Sequence, residues 1–370
     1  MLEAQVHTVP MASPDDVSGV AALFDSGKVN AEHVAAIIAQ TEGDGHARGY
    51  SSLSLQLLFG QRLGMTTAEI FDRIPMLMIG GTAGLMSPHF TLFVNKPATA
   101  ATGSARRLAI GVASTRTLLP EEYGTAAQVE LVASGVREAM RRAGITRAED
   151  VACVELKTPQ MTASRVADAA TRGKKPVDPN PTVVSFRGRG AAALGAAVAL
   201  GEISPAMISD AIIGQRPDLY TEKASASSGT EQVAVRIVVL GNVAGAPGDY
   251  VVGHGVMQNQ LDIVGARVAF REAGLRLEDG VVLPADRGKV AAVFVNAGAN
   301  ALPHCLGRRH TMATDFMNGF AGHVAKAVAH ANVSAIVQDT LVLASAGSEH
   351  QGPPGSNLVC VVANHGAGAA

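Results

Sequence analysis

A short run of small residues that leads into a Val/Leu/Phe-rich segment occurs three times in this 370-residue chain. It reads MIGGTAGLMSPHFTLFV over 78–94, TEKASASSGTEQVAVRIVVLGN over 221–242 and ASAGSEHQGPPGSNLVCVVAN over 344–364. Superposing the three turns on their glycines puts Ile79, Ser227 and Ser345 at one point. Ahead of each turn lies a short apolar strand-like segment, HVAAIIAQ, DVACVELK or KVAAVFVN, which ends at Gln40, Lys157 or Asn296. The units are far longer than the roughly 20 to 50 residues of a solenoid repeat, so they read as repeated small domains. The expected architecture is α/β, with three pseudo-equivalent domains over 1–103, 104–246 and 247–370. They would enclose a central pocket on a pseudo-threefold axis.

Between these landmarks the pattern predicts a helix over 14–29, a strand over 33–40 and a loop TEGDGHARGY that carries Arg48. A helix over 51–63 and the strand MLMI lead to the first turn. PATAATGSAR, 97–106, is the expected linker. The second unit follows with a strand over 107–114, an amphipathic helix over 127–143 closed by Gly144, and the strand 150–157. RGKKPVDPNP, 172–181, reads as a solvated loop, and Arg189 falls just ahead of an alanine-rich helix. The third unit begins near 244–250, with helices over 264–274 and 322–331 and a strand over 289–296.

Hydrophobic content of 47% supports a large core and argues against disorder. A net charge of −2 and a pI near 6.6 give no basic excess for nucleic acid. Cys153, Cys305 and Cys360 form no CxxC pair and read as thiols of a reducing compartment. No apolar run approaches the roughly 20 residues of a membrane span, and no leader pattern opens the chain. A cytoplasmic protein is expected.

A serine hydroxyl needs a base within hydrogen-bond reach to become a nucleophile, and a lysine neutralised by burial can be that base. Lys157 ends the apolar run VACVEL, so it suits Ser227 in this role. Glu155 shares its strand face at a period of two, and a paired carboxylate would keep the lysine charged; the sequence leaves that competition open. Glycines beside each turn free backbone N–H groups for an oxyanion. Taken singly, a Ser-Ser-Gly turn or a strand-end lysine is ordinarily structural, and the threefold repetition is what raises the odds. His350, in EHQGPPG, reads as structural. No HExxH, P-loop or metal-spaced Cys/His cluster is present, and GRGAAALG lacks the context of a nucleotide-binding loop.

The segments TEGDGHARGY, IGGTAGLMSPH, ELKTP, RGAAALGAAVALGE, SSGTE, RRHTM and SEHQGPPG together resemble the ring-opening amidohydrolases, the family of cyanuric acid amidohydrolase and barbiturase. The resemblance runs along nearly the whole chain. It implies three similar domains, each offering a Ser, a Lys and an Arg to one substrate pocket, and a homotetramer or other homo-oligomer. It implies acyl-transfer hydrolysis of a cyclic amide, with Ser227 attacking the ring carbonyl and Lys157 moving the proton. Carried over residue by residue, the middle set is complete in Lys157, Arg189 and Ser227. The first set keeps Arg48 but reads Gln40 and Ile79; the third keeps Ser345 but reads Asn296, with Lys326 in the arginine place. Gly80, Ser228 and Ala346, next to the turn residues, complete the implied substrate contacts. No cofactor is implied. The family's structural metal takes a glutamate where this chain has Gly298, which speaks against a metal here. A remnant of its loop would lie at Ser348, Gln351, Gly352, Pro353 and Ser356.

Cyanuric acid presents one donor and acceptor pattern three times, and Ile79 breaks the matching symmetry. A missing partner for a buried polar group costs about 1–3 kcal/mol, enough to favour a ring with an apolar edge. A barbiturate-like or other less symmetric ring is therefore expected. The alternatives are cyanuric acid itself and a noncatalytic binder of small heterocycles.

Overall fold

The computed structural model describes residues 2–43, 45–98, 104–298, 302–312 and 314–366. In the first unit the apolar runs become strands β1 (Leu2–Pro10), β2 (Val34–Thr41), β3 (Met76–Gly80) and β4 (His89–Pro97). The second unit contributes β5 (Arg106–Ser114), β6 (Val151–Pro159), β7 (Ala224–Gly229) and β8 (Arg236–Ala244). The third runs β9 (Tyr250–Met257), the short hairpin β10 (Leu277–Glu278) and β11 (Val281–Val282), and β12 (Val290–Ala297). A second short hairpin, β13 (His304–Cys305) and β14 (Arg308–Arg309), precedes β15 (Leu343–Ala346) and β16 (Asn357–Asn364).

The three main sheets have one topology: β1-β4-β2-β3, β5-β8-β6-β7 and β9-β16-β12-β15. In each, the last pair is parallel and the others antiparallel. A parallel pair cannot be closed by a tight turn, so helices cross over between its strands. These are α2 (Gly45–Leu63) with α3 (Thr67–Arg73) in the first unit; α1 (Ser18–Asp25) precedes β2. The second unit has α4 (Ala126–Arg142) before β6, then α5 (Ala163–Thr171) and α6 (Pro181–Ala199) in the crossover. The third has α7 (Ile263–Glu272) and α8 (Pro284–Arg287) before β12, and α9 (Ala321–Val337) in the crossover. Even an irregularity repeats: the register shifts at Val34/Ala36, Val151/Cys153 and Val290/Ala292, each six residues before the strand end that carries Gln40, Lys157 or Asn296.

Period-two alternation explains the near-continuous apolar strands. Ile37 and Ala39 pack under the helices of the first unit, while Ala36 and Ile38 face a core shared by all three sheets. That inner core also takes Cys153 of β6, Phe294 of β12 and Val238 of β8, with Phe93 stacked on Phe294 at 6.1 Å between centroids. The same parity aims Gln40, Lys157 and Asn296 inward.

Three local expectations are corrected. Arg48 is not on a loop but in the first turns of α2, and Arg189 is inside α6 rather than ahead of it. Two glycines inside α6 serve close approach: a side chain at Gly190 would meet the His350 ring, and one at Gly195 would meet Val132 of α4. The helix expected over 14–29 spans only Ser18–Asp25. Of the linker expected over 97–106, residues 99–103 lie outside the described residues. Among the described residues no helix is long and apolar enough to cross a membrane.

Candidate active site

β3, β7 and β15 are each the edge of their sheet, and β15 packs against both β3 and β7. Their convergence brings the three turns together. The parallel ladders have one register, setting Gln40 opposite Ile79, Lys157 opposite Ser227 and Asn296 opposite Ser345. A cavity of about 630 Å³ opens over these ends. Lys157 and Ser227 line it, as do the helix cations Arg48, Arg189 and Lys326. So do Ile79 and Ser345 with their neighbours Gly80, Ser228 and Ala346. All ten residues singled out from the sequence therefore face one space. A second cavity of about 660 Å³, between β1 and β12, includes His7, Thr8 and Lys289 and none of the ten.

Lys157 is 1% exposed. Burial pushes its amine down to about 7; Glu231 opposes this, and Arg48, Lys326 and Arg189 add to it. At that value a large share of the lysine is neutral near pH 7, as a general base requires. Ser227 Oγ is buried and has no hydrogen-bond partner among the described residues, so none of them holds it away from a substrate carbonyl. Glu155 is not the competitor for Lys157. It lies one layer deeper, near Cys153 Sγ at 3.4 Å and hydrogen-bonded to Ser225, and burial raises its carboxyl to about 7.

The carboxylate that does face Lys157 is Glu231, at 3.9 Å from Nζ, with Arg48 Nε 3.6 Å from its other oxygen. Sequence reasoning missed it, and missed Glu349, which accepts from Arg189 Nε at 3.2 Å. The available signal was spacing: SSGTE and SAGSE each place a glutamate four residues after the turn serine.

In the other two sets neutral amides replace lysine and are hydrogen-bonded through both oxygen and nitrogen. Gln40 Oε1 accepts from Ala344 N at 2.9 Å, and its Nε2 donates to Ile79 O at 3.3 Å. Asn296 Oδ1 accepts from Ser345 Oγ at 2.8 Å, while its Nδ2 donates to Gly347 O and Gln351 Oε1. Ser345 is thus tied down where Ser227 is not. Lys326 donates to Gly80 O at 2.9 Å and to Gly81 O at 2.5 Å, and burial lowers its amine to about 8. His350 fills a structural role: its Nε2 accepts from Gly214 N at 2.8 Å and its Nδ1 faces Leu219 O.

Gly298 supplies no carboxylate to a divalent cation, which takes several oxygen ligands. Gly298 N donates to Ser356 O, closing that loop on itself. Gln351 is spent on Ala226 N and Asn296, and Gly352 N donates to Thr221 O. Glu349, the acid of the loop Ser348 to Ser356 with Pro353 at its bend, is paired with Arg189. Among the described residues no group of three or more His, Cys, Asp or Glu is placed to hold a metal.

Residues 5–364 match the family model described as amidohydrolase ring-opening protein. The chain is 42% identical to a cyanuric acid amidohydrolase of Enterobacter cloacae, over 98% of its own length and 99% of the relative's. It is 39% identical to a cyclic amide hydrolase of a Rhodococcus species, over 95% of this chain and all of that one. Among solved structures, one of cyanuric acid hydrolase, described as an evolutionary innovation by structural concatenation, superposes with a TM-score of 0.92 at 34% identity, covering 98% of this chain and 100% of the other. The enzyme of that kind from A. caulinodans superposes with a TM-score of 0.88 at 36% identity, covering 98% and 99%.

Proposed function

The chain belongs to the amidohydrolase ring-opening family, and we propose that it hydrolyses one C–N bond of a cyclic amide through Ser227 and Lys157. The observation that carries this reading is the pairing, in one register, of an unpartnered buried serine with a lysine brought to about 7. Neutral Lys157 takes the proton from Ser227 Oγ as the oxygen bonds to the ring carbonyl carbon. The tetrahedral centre collapses, the ring C–N bond breaks, and Lys157 returns the proton to the departing nitrogen. Water then attacks the acyl ester, giving its proton to Lys157, and the proton passes to Ser227 as the carboxylic acid leaves.

Arg48, Arg189 and Lys326 ring the cavity and suit the carbonyl oxygens of an imide or ureide, with the backbone at Gly80, Ser228 and Ala346 between them. Ile79, 5% exposed, supplies an apolar wall where the other two units have serine. We read the substrate as barbiturate-like or another ring less symmetric than cyanuric acid, bound without cofactor or metal by a cytoplasmic homo-oligomer. Relatives bearing both names, cyanuric acid amidohydrolase and cyclic amide hydrolase, keep cyanuric acid as the second reading. The test is mass spectrometry of barbituric and cyanuric acid after incubation with native protein. Addition of water to either ring supports the hydrolase; recovery of both unchanged, with binding detected by calorimetry, favours a noncatalytic binder.

A further inference from the structure

Each unit hands a helix cation to the turn of the next, and the three handovers differ in what they leave free. The residue four beyond the turn position is Ala83 in the first unit, Glu231 in the second and Glu349 in the third. Arg48 of the first unit reaches Glu231 of the second, and Arg189 of the second reaches Glu349 of the third. Lys326 of the third reaches the first, where Ala83 offers no carboxylate, and it binds the Gly80 and Gly81 carbonyls instead.

Glu349 is consumed structurally. It accepts from Arg189, from Ser348 N at 3.2 Å and from Gln351 Nε2 at 3.1 Å, and the strand end beside it is the neutral Asn296. Glu231 is different. It is buried, and neither of its oxygens has a hydrogen-bond partner among the described residues, although they lie 3.9 Å from Lys157 Nζ and 3.6 Å from Arg48 Nε. The chain makes room for this placement, because any Cβ at Gly229 would collide with both Glu231 oxygens. A buried carboxylate with unspent oxygens is costly unless charge compensates it, and here two cations from different units do so.

We propose that Glu231 is a positioning residue for Lys157, held from the first unit by Arg48, so that the amine is oriented and its charge set across the seam between two units. The proposal rests on the reading of Lys157 as the base for Ser227. Among the described residues the charged groups that act on Lys157 are Glu231 from the β7–β8 turn, Arg48 on α2, Arg189 on α6 and Lys326 on α9. Removing the one acid leaves three cations, so the lysine gives up its proton more readily. Removing Arg48 takes away a repelling charge and frees Glu231 for the lysine, so the proton is held more tightly.

The experiment is the pH dependence of kcat/KM for native protein, Glu231→Gln and Arg48→Gln on barbituric acid, or on cyanuric acid if that is the ring opened. The ring's own ionisation is common to all three proteins and cancels. The acid limb is expected to move down by about one unit or more in Glu231→Gln and to move up in Arg48→Gln. Loss of a merely structural contact would not shift the two in opposite directions. The same midpoint is read without turnover from the pH dependence of Ser227 labelling by a small sulfonyl fluoride, followed by intact mass. Limbs that coincide with the native one, or move the same way, overturn the proposal. Lys157→Met separates the two levels: if it retains turnover, the reading of Lys157 as base has failed, whereas an inactive Lys157→Met with unmoved limbs in the other variants defeats only the role of Glu231.

Discussion

Lys157 stands opposite Ser227 across the parallel β6–β7 ladder, in the register that sets Asn296 opposite Ser345 and Gln40 opposite Ile79. One backbone arrangement has thus been filled with three chemistries. A lysine beside a free hydroxyl can exchange a proton. An asparagine bonded to its serine fixes it, and a glutamine beside isoleucine does neither. The repeat supplies the geometry, and the residue at the strand end decides what each copy does with it.

Ser227→Ala is expected to lower kcat by three orders of magnitude or more while leaving stability unchanged, since Ser227 Oγ has no partner to lose. Ser345→Ala is expected to weaken substrate binding and to retain most turnover. It also leaves Asn296 Oδ1 without its donor, at a cost of about 1–3 kcal/mol in stability. Steady-state kinetics and thermal melts of both variants decide this. Equal loss of kcat with unchanged KM in the two would refute the assignment of Ser227 as nucleophile.

The sheets were legible in the sequence because buried strands leave apolar runs, and three copies of one pattern correct one another. Seven of the ten cavity residues were legible for the same reason, each at a fixed place on a strand end or turn, whereas Arg48, Arg189 and Lys326 lie at unequal distances from these and were read from the family resemblance. What failed was local. Gly45, Gly188 and Gly190 carry the composition of loops yet lie in helices, and the close approach of Gly190 to the His350 ring is a contact that only the tertiary structure defines. Glu155 and Glu231 exchanged roles because strand parity gives a face but not a depth. Two residues along β6 carry Glu155 into the inner core, while Glu231 folds back from a turn that no periodicity describes.

Glu155 and Ser225 stand where the other two units have Ile38 with Leu77 and Phe294 with Leu343, so this carboxyl occupies an apolar layer. Burial holds it in the neutral form, against hydrogen bonds from Cys153 and Ser225 that favour the carboxylate. The unfolded carboxyl ionises near 4.5 and the folded one near 7. As pH rises between these values the unfolded chain releases the proton first, so stability falls across that window and levels off above it, by roughly 3 kcal/mol in all. Glu155→Gln is expected to gain in Tm relative to native protein at pH 8 by several degrees more than at pH 5. An equal difference at both pH values would show that Glu155 is ionised in the fold.

Lys326 closes the seam between the third and first units by donating to two carbonyls of the first turn. Lys326→Met is expected to raise KM at least severalfold with a smaller change in kcat, because the turn carrying Ile79 and Gly80 loses its support while Lys157 loses only one of the three cations that lower its amine. Unchanged KM on the ring that the native enzyme opens would show that the lysine only holds the seam.

The substrate preference is tested by rebuilding the first set as Gln40→Lys with Ile79→Ser. Arg48 is present to complete that set, and a serine at 79 would offer a hydroxyl where the native cavity offers an alkyl wall. One recovered hydrogen bond is worth about 1–3 kcal/mol, so kcat/KM for cyanuric acid is expected to rise about tenfold relative to that for barbituric acid. The structure also shows a cost. Gln40 Oε1 accepts the Ala344 amide at 2.9 Å, and a lysine cannot accept, so the double variant leaves a buried N–H unpaired and adds a charge. A thermal melt must therefore precede the kinetics. Ile79→Ser alone, which keeps Gln40 and its bond to Ala344, carries the comparison if the double variant does not fold. A native enzyme that already strongly prefers cyanuric acid, or an Ile79→Ser protein whose preference does not move, would show that the apolar wall does not select the ring.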